Sequence, residues 1–132
     1  VNLRDQRAIA FENEREVFST LISSGLPGMF TPIGTFMTFH KRPSRRMFLF
    51  AGDPKMDYDF PGVPWVNYIT QDGVAIHGAY WHANWGNPMT HGCISMPTED
   101  AKWIYRWTTP VVPFDETYHI ADTGTRVDVI IG

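Results

Sequence analysis

The chain has 132 residues, 43% hydrophobic and 19% charged, which is enough apolar material for one packed domain and excludes a disordered or fibrous class. Eleven Lys and Arg against fourteen Asp and Glu leave a net charge of -3, with no basic excess to neutralise a phosphate backbone, so nucleic acid is not an expected partner. The longest apolar runs, such as Met47–Ala51 and Val127–Ile131, fall far short of the roughly 20 residues a spanning helix needs. The single cysteine, Cys93, excludes an internal disulfide and any zinc site built from several thiolates.

Arg7–Phe11 and Val17–Ile22 flank the polar stretch Glu12-Asn13-Glu14 and read as a hairpin. Ser23–Gly25 and Pro27-Gly28 then break the pattern, and Thr31–Gly34 forms a tight polar turn. Gly34–His40 is a strand with both faces partly covered, and Met47–Phe50 is a further short strand. Between them, Lys41–Arg46 reads as a solvated charge cluster. Gly52–Pro64 carries three prolines, two glycines and three aspartates, the composition of a long loop; with Tyr58 and Phe60 it is a candidate lid. Trp65–Thr70 and Val74–His77 form a second hairpin around Gln71-Asp72-Gly73. Thr98 is placed to cap the one good helix, with Glu99 and Asp100 at its positive end and Ala101–Trp107 carrying it onward. Trp103, Ile104 and Trp107 fall at helical spacing and are expected to pack on a sheet. Arg126–Ile131 is the last strand. The architecture expected is a single mostly-β domain over residues 1–132, a sandwich or irregular barrel with one main α-helix. An opening at Val1 without a leader fits a domain excised from a longer chain.

The chemistry concentrates in Ile76–His82 and Thr90–Met96, which bring three of the five histidines close in sequence to the only cysteine. A thiol ionises near pH 8.5 and is a poor nucleophile below that, until an imidazole takes its proton. His77, at the end of an expected strand, is one candidate base and His91 is another; the residue types alone do not choose between them. Gly78 and Gly92 permit close backbone approach, and the Gly92–Cys93 turn can aim amides at a developing oxyanion. Two other readings use the same residues. Cys93 can be an inert buried hydrophobe, and His77, His82, His91 and Cys93 can together hold a metal, although His-x-Cys is an uncommon half-site.

His77-Gly78, followed after a short interval by Thr90-His91-Gly92-Cys93, resembles the signature of the L,D-transpeptidase (YkuD) family. The likeness extends to Ser24-Gly25 with Thr31-Pro32-Ile33-Gly34-Thr35-Phe36, and to the closing Gly124-Thr125-Arg126-Val127-Asp128-Val129. The resemblance implies Cys93 as nucleophile, His77 as general base oriented by the Gly78 carbonyl, and His91 as a neighbour supporting the site. It implies backbone amides near Gly92 and Cys93 as the oxyanion hole, and acyl transfer on peptidoglycan stem peptides to give 3→3 cross-links. Membership further implies an acyltransferase of cell-wall biogenesis and cell shape, secreted or attached to the envelope. No metal or organic cofactor is needed, and carbapenem β-lactams are expected covalent inhibitors. Tyr58, Tyr80, Trp81, Thr90 and Ser95 are candidate substrate contacts, with Trp85 a further candidate wall. Ser95 departs from the family, which commonly has Arg or Asn two residues after the cysteine, and a hydroxyl cannot replace a bidentate guanidinium. Arg106, Arg42, Arg45, Arg46 and Lys41 are the basic residues available for a substrate carboxylate.

Three other functions compete. Water as acceptor would make the enzyme an L,D-carboxypeptidase. A sortase-like transpeptidase would pair Cys93 with His40 and an arginine such as Arg106, but the expected Thr-Leu-x-Thr-Cys segment is absent. A non-catalytic wall-binding module would leave Cys93 no more reactive than a free thiol.

Overall fold

The computed structural model describes residues 1–113 and 115–132. Its elements in chain order are β1 (Arg7–Glu12), β2 (Arg15–Leu21), β3 (Gly34–Met37), β4 (His40–Leu49), β5 (Tyr58–Tyr68), β6 (Ala75–Gly78), β7 (Ile94–Met96), α1 (Thr98–Trp107), β8 (His119–Ile120) and β9 (Arg126–Val129). The strands form three sheets: the hairpin β1-β2, the pair β3-β9, and a five-stranded sheet in the order β7-β6-β5-β4-β8. All neighbours are antiparallel except β6 and β7. The sheets do not close into a barrel, so of the two expected architectures the open, layered one stands.

The first hairpin turns on Asn13 and Glu14, both at positive φ (49° and 66°), the backbone that a two-residue turn matching strand twist requires. α1 lies between this hairpin and the large sheet. Ala101, Ile104 and Tyr105 form its buried side. Trp103 stacks on Phe18 of β2 with ring centroids 4.3 Å apart, and the Trp107 indole N–H donates to Glu12 at 2.7 Å. The two tryptophans therefore pack toward the hairpin, while Ile104 joins the central core with Ile76, Ile94 and Met96. Thr98 is the first helical residue rather than the cap; Pro97 precedes it and no side chain caps the end.

Two other expectations are corrected. Gly52–Pro64 is not one long loop. The chain turns back by Asp57, whose carboxylate accepts the amides of Ala51 and Gly52 at 2.6 and 3.2 Å, and β5 begins at Tyr58. Pro61 and Gly62 fall where the β4-β5 register shifts, so the missing proline N–H costs the ladder nothing. Nor is Lys41–Arg46 a uniformly solvated cluster. Lys41 is 1% exposed, and its ammonium donates to the carbonyls of Tyr105 and Thr108, both at 2.6 Å, closing the C-terminal end of α1. Its register partner Asn67 is buried beside it and donates to the Thr108 hydroxyl at 2.7 Å.

Candidate active site

The neighbouring strands β6 and β7 position the chemistry. His77 is the third residue of β6, 3% exposed, and pairs in register with Ser95 of β7. Cys93 immediately precedes β7 and is partly buried. Both line a cavity of about 310 Å³, together with Tyr58, Phe60, Trp81, His82, Thr90, His91 and Gly92, and with Asp72-Gly73-Val74 of the β5-β6 turn. A larger cavity of about 840 Å³ lies between the two small sheets, lined mainly by Ala8, Ala10, Phe11, Val127 and Val129; it contains neither cysteine nor histidine.

The tautomer of His77 follows from its contact. Nδ1 lies 2.7 Å from the Gly78 carbonyl oxygen, which can only accept, so Nδ1 carries the proton and Nε2 keeps its lone pair. Burial pulls the His77 pKa down to about 4; the Gly78 carbonyl opposes this and nearby His82 adds to it. The imidazole is thus neutral at pH 7 and able to accept a proton. Burial also pushes the Cys93 thiol up, with backbone hydrogen bonding from Ala75 opposing, and Sγ–H donates to the Gly73 carbonyl at 3.7 Å. The resting cavity thus holds a neutral thiol and a neutral imidazole, and ionisation must be coupled to attack rather than precede it. A glycine is required after His77 because a Cβ there would come within 2.9 Å of Pro64 Cγ and 3.1 Å of Thr98 Cα.

His91 is exposed and its ring packs against Tyr58, centroids 4.5 Å apart. Between the two histidines that sequence left open, His77 alone is buried with its tautomer set by the backbone. The turn into Cys93 is held by hydroxyls. Thr90 Oγ1 donates to the Cys93 carbonyl at 2.7 Å and accepts the Gly92 amide at 3.1 Å. The Gly92 N–H is therefore engaged, while the Cys93 N–H meets no acceptor among the described residues and is the amide free for an oxyanion. Gly92 sits at φ +128°, where a side chain would be strained.

Several candidates lie elsewhere. Ser95 is fully buried, exchanges two backbone hydrogen bonds with Ser23 (2.8 and 2.9 Å), and donates its hydroxyl to the Ser23 carbonyl at 3.3 Å. It faces no cavity. Tyr80 is 54% exposed, does not line the cavity, and donates to the Pro61 carbonyl at 2.6 Å. Trp81 does line it, stacked on Phe60 at 3.8 Å, and Tyr58 and Phe60 form the same wall from a strand rather than from a loop. Trp85 packs on His82 at 4.4 Å, outside the lining. The His40–Arg106 pairing is not met. His40 accepts from Arg42 at 3.0 Å and packs on Tyr68, and Arg106 faces a groove along α1. No three His, Cys, Asp or Glu side chains among the described residues converge as metal ligands.

Residues with no chemical signal of their own also build the site. Thr31, 2% exposed, donates to the Gly92 carbonyl at 2.8 Å and accepts the Gly25 amide at 3.1 Å. The Ser24 carbonyl accepts the amides of Met89 and Thr90, and buried Gln6 bonds Ser24 through both its amide atoms. The Ser24-Gly25 and Thr31-Pro32 segments noted in the sequence thus brace the cysteine turn; Gln6 gave no sequence signal.

The family model for the L,D-transpeptidase catalytic domain, YkuD, matches residues 1–129. The Bacillus subtilis family protein YciB is 29% identical over 117 residues, covering 80% of this chain and 57% of its own. An L,D-transpeptidase from Mycobacterium smegmatis superposes with a TM-score of 0.80 at 23% identity, over 98% of this chain and 56% of that one. L,D-transpeptidase 3 from Mycobacterium tuberculosis, solved with a faropenem-derived adduct, gives 0.67 at 29% identity, over 84% and 44%. The chain spans little more than half the length of YciB and of the M. smegmatis protein. With three open sheets and a single helix among its described residues, and with its His77–Cys93 cavity, the chain belongs to the L,D-transpeptidase catalytic-domain family.

Proposed function

We propose that the protein is a cysteine-dependent peptidoglycan L,D-transpeptidase. The observation that carries this reading is the pairing in one cavity of the only thiol with a buried imidazole whose Nδ1–H is held by the Gly78 carbonyl. Cys93 Sγ attacks the carbonyl of the L,D-peptide bond that precedes the terminal D-alanine of a tetrapeptide stem, and the thiol proton passes to His77 Nε2. The Cys93 amide N–H donates a hydrogen bond to the oxyanion. Collapse breaks the C–N bond, His77 returns the proton to the departing D-alanine amine, and a thioester remains. An acceptor amine from a second stem then attacks, its proton goes to His77, and Sγ leaves with that proton to restore the thiol. The product is a 3→3 cross-link. The donor and acceptor stems place the protein outside the cytoplasmic membrane. The faropenem-derived adduct in the M. tuberculosis relative supports the same reading for β-lactams, with Cys93 as the acylated atom.

The test is incubation with a purified disaccharide-tetrapeptide and mass spectrometry of the products, with Cys93→Ala alongside. Cross-linked dimer from the intact protein alone is expected. Tripeptide alone would move the assignment to carboxypeptidase, and unchanged substrate in the presence of a second stem would overturn it.

A further inference from the structure

We infer that Arg45 holds a carboxylate of the stem peptide, on the face of the large sheet that Cys93 shares. The inference rests on the substrate class proposed above, whose free carboxyl groups are ionised at neutral pH. The cavity around Cys93 has no lysine or arginine in its lining, and its one acidic residue, Asp72, repels an anion. A carboxylate entering with the stem therefore needs a cation from beside the cavity.

The basic residues near the site are separated by what they already do. Lys41 is buried on the opposite face, spent on the two carbonyls at the end of α1. Arg46 is paired bidentately with Asp59, both bonds at 2.8 Å. Arg42 donates to His40 at 3.0 Å and lies over the Tyr118 ring, 4.4 Å to the centroid. Arg106 lines the separate groove on α1. Arg45 has no carboxylate partner among the described residues, and its guanidinium lies over the Tyr68 ring at 5.4 Å from the centroid.

Tyr68 connects that guanidinium to the thiol. It pairs in register with Ala75, whose backbone hydrogen-bonds toward Cys93. Tyr68, Ala75 and Val63, the register partner of Arg45, form one buried cluster against which Met47, Phe60, Trp81 and Cys93 pack. The path Cys93–Ala75–Tyr68–Arg45 thus crosses the sheet on a single face. Held over the Tyr68 ring and hydrogen-bonded to its side chain, with no carboxylate partner among the described residues, the guanidinium is oriented with N–H donors remaining for a carboxylate. Burial and the charges of Arg42 and Arg45 keep His40 neutral, and neither arginine has a carboxylate partner among the described residues, so the local potential favours an anion further.

The experiment compares Arg45→Met and Arg45→Lys with the parent protein, using a free tetrapeptide stem and two analogues. One analogue has its terminal carboxylate replaced by a carboxamide and the other has its internal free carboxyl amidated. Affinity is read by titration in a Cys93→Ala background and KM by turnover with Cys93 present. Arg45→Met is expected to weaken binding of the free stem by about tenfold to a hundredfold, the worth of a charge-assisted contact, with Arg45→Lys recovering part. One analogue should bind the Met variant and the parent equally, and that analogue identifies which carboxylate Arg45 holds. Alkylation of Cys93 by iodoacetamide, which has no carboxylate, should proceed at the parent rate in both variants. Equal binding of all three peptides by parent and Met variant, or an equal loss for all three, would overturn the inference, the second outcome assigning Arg45 to packing on Tyr68. Arg45-dependent binding without turnover by the intact protein would instead overturn the proposed function and leave this site standing.

Discussion

Acidification offers a direct test of the state in which His77 is held. In the unfolded chain its imidazole titrates near 6.5, and in the folded protein near 4. Between those values the unfolded chain holds a proton that the folded one lacks, so falling pH favours unfolding. The contribution is complete above about pH 6.5, declines as pH falls toward 4, and is constant below that. A shift from 6.5 to about 4 corresponds to about 3 kcal/mol, the stability that the neutral, Gly78-bonded imidazole loses when forced to charge. Because His77 is only 3% exposed, solvent screening takes little from this figure. The assay is urea unfolding from pH 7.5 to 4, comparing the parent with His77→Asn, since the other histidines and the carboxylates contribute alike to both. The parent should lose up to about 3 kcal/mol more than the variant over this range. The same neutral imidazole should keep Cys93 acylation by faropenem active below pH 6, with the acid limb lying nearer 4 than 6.5. Parallel stability curves, or an acid limb at an ordinary histidine value, would refute the burial argument and the orientation derived from it.

Two further outcomes follow from packing. Gly78→Ala forces a Cβ against Pro64 Cγ and Thr98 Cα, neither of which is the end of a flexible chain, so β6 must shift against α1. Thermal melting should show a loss of about 1–3 kcal/mol, with faropenem acylation slowed in the fraction that remains folded, and wild-type acylation would contradict the role given to the Gly78 carbonyl. Lys41→Met leaves the carbonyls of Tyr105 and Thr108 without their donor and should cost about 1–3 kcal/mol by urea unfolding. An unchanged or raised midpoint would mean that desolvating the ammonium outweighs its hydrogen bonds.

The cysteine cluster and the first hairpin were legible because each rests on local rules. Asn13 and Glu14 between two β-rich runs fit a tight turn, and His77-Gly78 with Thr90–Cys93 put imidazoles near the only thiol in sequence, the roles of each coming from the family likeness. The Gly52–Pro64 stretch misled because composition reports backbone preference and not register. Three prolines suggested a loop, whereas one of them, Pro61, falls at a bulge where no ladder N–H is required. Lys41 misled in the same way: a lysine among arginines looks solvated until the end of α1 is placed over it. Ser95 and Tyr80 sit near the motif in sequence but turn their hydroxyls to Ser23 and Pro61.

Sequence alone pointed to a mostly-β chain with one main helix and placed its only thiol among histidines. These follow from periodicity, turn chemistry and residue type, which act over a few neighbours; the family likeness came from the motifs around His77 and Cys93. The tertiary structure decided which histidine is buried with its tautomer set, which amide is free, and which arginines are already engaged by other groups. Those depend on β4 through β7 lying side by side and on α1 crossing them, contacts between residues distant in the chain that no local rule encodes. Burial sets the His77 and Cys93 proton affinities, and burial exists only once the sheet is assembled.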